Sequence, residues 1–137
     1  MVGSMKLLKN KKDLRKLRNQ NKKKIGLCHG VFDILHYGHL EHFAEAKKNC
    51  DILVISLTAD EFVKKGPNQP FNNVLKRAAI IQSLEICDFV YINRNLTASE
   101  VIKSLKPNIY FKGKDYLEKD FTNNLNKEVS NVKKNKG

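Results

Sequence analysis

Gly30-Val31-Phe32-Asp33-Ile34-Leu35-His36-Tyr37-Gly38-His39 is the stretch whose reading decides what this chain is. The residues before it, Lys24-Ile25-Gly26-Leu27-Cys28-His29, read as a short buried strand. Those after it, Leu40 to Lys48, place Leu40, Phe43, Ala44 and Ala46 close to one face of a helix. A strand, a glycine turn and a helix N-terminus in succession bind phosphate, because free backbone N–H groups and the helix dipole converge on one point. Two imidazoles three residues apart at that point can follow charge as it builds on a leaving phosphate. Each piece alone is ordinary. A His-x-x-His pair on a helix is commonly two solvated or capping side chains, and one glycine before an apolar residue says little. The combination within ten residues carries the weight.

The chain has 137 residues, enough for one domain with a real core. Its hydrophobic content of 41%, broken into strand-like and helix-like runs, indicates a folded rather than a disordered chain. No apolar run approaches about 18 residues, so no membrane span is expected. Met1-Val2-Gly3-Ser4 ahead of Met5 reads as a cloning scar, not a targeting peptide, which leaves 5–137 as a single domain. Cys28, Cys50 and Cys87 are odd in number and show no Cys-x-x-Cys pair. Reduced thiols packed in a cytoplasmic protein are therefore expected, not disulfides or a zinc knuckle. The net charge of +12 raises nucleic acid as a partner. Yet lysine and asparagine run through the whole chain, and the clusters Lys22-Lys23-Lys24 and Lys133-Lys134 have no aromatic residues among them to stack bases. A solvated basic surface that attracts small polyanions is the expectation, without nucleic acid.

Along the chain, the pattern predicts helices over 6 to about 20, 38–48, 59–65, 73–85 and 98–105, with strands at 24–29, 52–57, 89–92 and 109–112. Leu7, Leu8, Leu14 and Leu17 form the apolar stripe of the first helix, and Thr97 with Glu100 reads as a capping box opening the last. Pro107 then prevents helical continuation. Strands alternating with helices call for right-handed βαβ units and an α/β fold with a parallel sheet covered on both faces. In such a sheet ligands lie at the carboxyl ends of the strands, so His29–His39, Thr58–Asp60 and Gly113 with Asp115 are expected to meet at one crevice. Leu117, Phe121, Leu125, Val129 and Val132 are spaced for an amphipathic helix over an edge, or a frayed tail.

Gly30-Val31-Phe32-Asp33 followed by His36-x-Gly38-His39 resembles the signature of the cytidylyltransferase-like nucleotidyltransferases, within the wider His-x-Gly-His superfamily. Further matches span most of the chain. Asp51 to Asp60 resembles the second strand and its terminal aspartate, and Lys64-Lys65-Gly66-Pro67 to Arg77 resembles the basic loop and arginine-bearing helix start. Lys106 to Tyr116, with its Lys112-Gly113-Lys114-Asp115-Tyr116 corner, leans toward the adenylyltransferase half of bifunctional heptose-phosphate kinase/adenylyltransferases. Glycerol-3-phosphate cytidylyltransferases are a related branch. One departure stands out. Members usually continue into a further strand and a Ser/Thr-rich helix start that contacts the triphosphate, and nothing like it occurs before Gly137. The expectation is a C-terminally shortened fragment of a longer protein.

The resemblance implies a Rossmann-like three-layer αβα sandwich and a nucleotidyl transfer. A phosphate oxygen of the acceptor attacks the α-phosphate of a nucleoside triphosphate, and pyrophosphate leaves. A phosphate monoester is already mostly a dianion at neutral pH, so no general base is needed. Positioning and charge stabilisation then carry the catalysis. By the same resemblance, His36, His39, Lys65 and Arg77 are catalytic, with Lys65 and Arg77 bridging the triphosphate and the acceptor phosphate. Gly30, Val31, Phe32, Asp33, Gly113 and Asp115 hold the nucleotide, and Lys64 and Lys112 are weaker phosphate contacts. For Lys64, Lys65 and Arg77 the alternative is plain surface charge, and for Asp33 a structural role in the turn. Mg²⁺ is expected on the triphosphate, with no direct protein ligand. His29, His36, His39 and His42 suggest a metal site, but no carboxylate or cysteine completes a ligand set at a known spacing. The implied partners are a nucleoside triphosphate, ATP favoured over CTP, and a phosphorylated small acceptor such as a heptose 1-phosphate. A homodimer and a fused kinase or other domain are also implied. A nucleotide-binding module without catalysis, or a nucleic-acid-binding one, is the reading from another class.

Overall fold

The computed structural model describes residues 6–63 and 70–111. Ile25–Gly30 (β2) is apolar through Cys28 and Ile52–Thr58 (β3) is mostly apolar and β-branched, as befits strands covered on both faces. Leu7–Leu8 (β1), Phe89–Asn93 (β4) and Ile109–Phe111 (β5) complete a sheet of order β1-β4-β3-β2-β5, parallel at every pairing. Between the strands lie Lys11–Gln20 (α1), Tyr37–Lys48 (α2), Val74–Gln82 (α3) and Ser99–Leu105 (α4).

Alternation along each strand sorts the core into two layers. Ile25, Leu27, Val54, Tyr91 and Tyr110 face Leu14 and Leu17 of α1 and Val101, Ile102 and Leu105 of α4. Cys28, Leu53, Ile55, Leu57 and Val90 face Phe43 and Ala46 of α2 and Val74, Ala78 and Ile81 of α3. The result is the expected Rossmann-like three-layer αβα arrangement. The chain steps from β2 to β3 to β4 in one direction and then returns to place β5 on the other side of β2. The carboxyl end of β2 therefore sits at the switch in strand order, where open sheets bind ligands.

Three sequence expectations need correction. Residues 6–10 are not helical. Leu7 packs with the α2/α3 layer and Leu8 with the α1/α4 layer, and successive side chains on opposite faces are a strand's period, not a helix's. The helix starts only after Asn10, whose Oδ1 accepts from Asp13 N (2.9 Å) while Asp13 Oδ2 accepts from Lys9 N (2.8 Å). At 59–65, the described part is one short 3₁₀ turn, Asp60–Phe62. Thr97 and Glu100 form no capping box. Thr97 Oγ1 accepts from Ser99 N (3.3 Å), and Glu100 reaches Lys11 Nζ (2.9 Å) on α1 instead. No helix among the described residues is long and apolar enough to cross a membrane.

One side chain ties the loops at the carboxyl end of the sheet. Arg77, on the first turn of α3, is fully buried. Its Nη1 donates to Val31 O (2.9 Å) and Thr58 O (2.8 Å), its Nε to Asn72 O (3.0 Å), and its Nη2 to Asp60 Oδ1 (2.6 Å). A planar fork of fixed donors suits four acceptors spread over three segments, which a lysine could not reach together. Truncation would leave buried acceptors without donors. Arg77→Met is expected to lower unfolding free energy by about 3 kcal/mol or more in urea titration, with Arg77→Lys recovering only part.

The thiols give a second check. Burial pushes the Cys28 thiol far above its ordinary range and the Cys87 thiol up to about 12, whereas Cys50, also raised by burial, is half-exposed. A maleimide at neutral pH should label only Cys50 in the folded protein, and all three thiols once urea unfolds it, as read by mass spectrometry.

Candidate active site

β2 ends at Gly30, and the residues after it form the turn that leads to α2. Phe32 has φ 48°, in the left-handed region, a conformation costing a non-glycine residue roughly 1–3 kcal/mol. The chain reverses there. Asp33 follows, and its carboxylate is wholly engaged: Oδ2 accepts from Phe71 N (2.5 Å) and Oδ1 from Asn72 N (2.8 Å). Asn72 Nδ2 returns a bond to Asp33 O (3.1 Å). Asp33 thus pins the segment leading into α3, the structural role that sequence had offered as its alternative.

His36 is the N-cap of α2, with extended backbone. Its Nδ1 accepts from Gly38 N (3.0 Å), and its own N–H donates to His39 Nδ1 (3.2 Å). This is a capping box made from two histidines. It explains the spacing and the glycine between. A Cβ at position 38 would lie 2.9 Å from His36 Cε1 and 3.1 Å from Nδ1, so only glycine lets the imidazole fold over that N–H. Because each Nδ1 is an acceptor, each neutral ring carries its proton on Nε2. The rings lie side by side, centroids 4.0 Å apart at 32°. Two Nε2–H donors beside a helix N-terminus make a site suited to anions.

The other sequence candidates divide. Val31 gives its carbonyl to Arg77. Arg77 itself is brought to the site but not as a bridge for phosphates: it is buried and bonded to the protein's own acceptors, so that expectation is corrected to a positioning role. Asp60, which sequence reasoning brought to the crevice without assigning it a role, and Asn72, which it did not single out, complete this frame. The signal for Asn72 was the Asn72-Asn73 pair before an apolar helix, and Asn73 Oδ1 does cap α3 by accepting from Lys76 N (2.9 Å). Lys64, Lys65, Lys112, Gly113 and Asp115 lie outside the described residues.

The four histidines do not gather. His29 Nδ1 lies 3.0 Å from Ser56 Oγ, across the β2–β3 pairing, and His42 lies against Phe43, where burial lowers its pKa. Among the described residues no group of three His, Cys, Asp or Glu could hold a metal ion. Asp33 and Asp60, the carboxylates nearest the turn, are bonded to backbone N–H groups and to Arg77.

Comparison with known proteins agrees with this fold. Residues 27–136 match the family described as cytidylyltransferase-like. The chain is 41% identical over 116 residues to the bifunctional protein HldE of Campylobacter jejuni strain RM1221, covering 83% of this chain and 25% of that protein. It is 46% identical over 107 residues to the bifunctional protein HldE of Aliarcobacter butzleri, covering 77% of this chain and 22% of that protein. The chain thus spans about a quarter of the length of the curated relatives it matches. Among solved structures, the lipopolysaccharide core biosynthesis protein from Thermoplasma volcanium superposes with a TM-score of 0.60 at 26% identity, covering 76% of this chain and 89% of that one. A pantoate-beta-alanine ligase from Francisella tularensis shares the fold, with a TM-score of 0.59 at 19% identity, covering 96% of this chain and 62% of that one. With its glycine turn, its two-histidine cap and a match over most of its length, the chain belongs to the cytidylyltransferase-like family.

Proposed function

We propose that this chain is the nucleotidyltransferase portion of a larger enzyme, transferring a nucleoside monophosphate from ATP to a phosphorylated sugar such as a heptose 1-phosphate. An acceptor phosphate oxygen forms a bond to the α-phosphorus, the bond to the β-phosphate breaks, and pyrophosphate leaves. The observation that carries this reading is the reciprocal cap of His36 and His39, which fixes two neutral Nε2–H donors at the N-terminus of α2. A neutral donor can strengthen its bond as phosphate charge grows without first giving up a proton, and electrostatic aid of that kind is usually the largest catalytic contribution.

In this reading His36 and His39 stabilise charge on the α- and β-phosphates. The backbone at Gly30, Val31 and Phe32 accommodates phosphate, and Asp33 holds the turn. Lys65, with Lys64 and Lys112, neutralises the triphosphate and acceptor phosphate, and Gly113 and Asp115 hold base and ribose. Mg²⁺ would travel on the triphosphate and supply charge neutralisation there. The preference for ATP and a sugar phosphate rests on the resemblance of the Lys112-Gly113-Lys114-Asp115-Tyr116 corner to the adenylyltransferase half of bifunctional heptose-phosphate kinase/adenylyltransferases. A kinase domain in the full-length protein and a cytoplasmic location follow from the same reading. CTP with glycerol 3-phosphate or a phospho-alcohol is the second reading, favoured by the family's own description.

The test is thermal. With Mg²⁺ present, ATP at a hundred times its dissociation constant should stabilise the fold by about 2.7 kcal/mol and raise Tm, while CTP, GTP and UTP do so less. A selective CTP shift would move the assignment to the second reading, and no shift with any triphosphate would sink both. Where ATP shifts Tm, His36→Ala should keep the fold, at the cost of one helix cap, about 1 kcal/mol, and cut pyrophosphate release about a hundredfold. Nucleotide binding without any pyrophosphate release, given heptose and polyol phosphates, would instead mark a regulatory module.

A further inference from the structure

We propose that the Phe32 ring is the positioning element for the His39 imidazole, acting on the reaction through that histidine rather than by touching substrate. The proposal rests on the reading above for its kinetic consequences, but its structural core does not. Phenylalanine is an unexpected residue at φ 48°, where glycine or asparagine would sit without strain. The left-handed backbone throws the ring back over Gly30. A Cβ at position 30 would lie 2.9 Å from Phe32 Cζ and 3.1 to 3.2 Å from its Cε atoms, so the bare Cα of Gly30 is what makes room for it. From there the ring meets His39 edge to face, centroids 5.6 Å apart at 89°, and rests at 5.0 Å and 76° on Phe43. Phe43 is fully buried in the α2/α3 layer, so the ring is anchored to the core.

His39 is thereby held from three directions. His36 N–H fixes Nδ1, the His36 ring lies alongside, and Phe32 closes a further side. A hydrogen bond to Nδ1 fixes one atom of the ring, and packing on its sides limits motion about the side-chain torsions. An edge-to-face ring seated on a fully buried neighbour limits that motion, and it keeps the Nε2–H aimed where phosphate charge develops. This accounts for a strained bulky residue where a strain-free one would make the same turn.

Replacing the ring without disturbing the turn separates the two roles. Phe32→Gly tolerates the left-handed backbone and removes the ring, and Phe32→Asn is the second variant should the first fail to fold. Gly30→Ala drives the ring from the other side, and Phe32→Leu restores apolar bulk. The first readout is the ¹⁵N NMR spectrum of the histidine rings in the nucleotide-free protein. His39 is expected as a single Nε2–H tautomer in the starting protein and as a tautomer mixture in Phe32→Gly and Gly30→Ala, with Phe32→Leu between. The second is kinetic: kcat should fall about ten- to a hundredfold in Phe32→Gly, with the KM for nucleotide little changed and partial rescue in Phe32→Leu. In a His39→Ala background the same change should cost nothing more, measured by single-turnover pyrophosphate release. An unchanged His39 tautomer in both ring-displacing variants overturns the proposal, as does an equal loss with and without His39. If even the starting protein releases no pyrophosphate, the nucleotidyltransferase reading fails and the ring spectra alone decide the role of Phe32.

Discussion

The candidate site depends on one buried guanidinium. Arg77 holds the turn after β2 through Val31, the end of β3 through Thr58, the 3₁₀ turn through Asp60 and the entry to α3 through Asn72. Parallel strands deliver their following loops to the same edge of a sheet, but they do not fix how those loops lie against one another. Hydrophobic burial cannot do so either, because the loops are where the apolar pattern stops. A charged donor set reaching four acceptors supplies a constraint that packing lacks. Burying a cation without partners would be prohibitive, so the loops are locked to the arrangement that satisfies it. Asp33 closes the same frame from the other side by bonding Phe71 and Asn72.

That frame explains what could be read from the sequence and what could not. The central strands were legible because Ile25–Gly30 and Ile52–Thr58 are largely buried and read as predominantly apolar runs, and the glycine turn after β2 marked its end. Two leucines at 7–8 are too short a run to show a period. Placed beside a helix, they read as its first turn, and only their burial in opposite layers reveals the edge strand. The missing signal was Asn10 with Asp13, a cap pair at the true helix start. Thr97 and Glu100 had the same form and misled, because Lys11 on the neighbouring α1 offers Glu100 a partner that a sequence window cannot contain.

At the site, His36, Gly38 and His39 were legible because their contacts are local, three residues at most apart. Arg77 was legible as a position but not as a role. A sequence prior places an arginine at the surface, free to meet phosphate, and its burial depends on acceptors 46, 19, 17 and 5 residues away. Asp60 was visible only as the residue at a strand end, since its use depends on that same arginine.

The electrostatics of the crevice follow from these pairings. An anion site at a helix N-terminus is weakened by any free carboxylate nearby, and Asp33 and Asp60 both stand close in the chain to the loops that form it. Each carboxylate takes donors from inside the protein, two backbone N–H groups for Asp33 and the Arg77 guanidinium on Oδ1 of Asp60. Their charge is thus spent on fixing the loops. The histidines complement this through the cap, in which Nδ1 of each ring accepts a backbone N–H and the ring is thereby oriented. In the proposed reading, attraction for a polyanion comes from the helix end and from the lysine-rich surface of a chain with net charge +12, while the two imidazoles keep a geometry that does not have to be rebuilt as charge shifts.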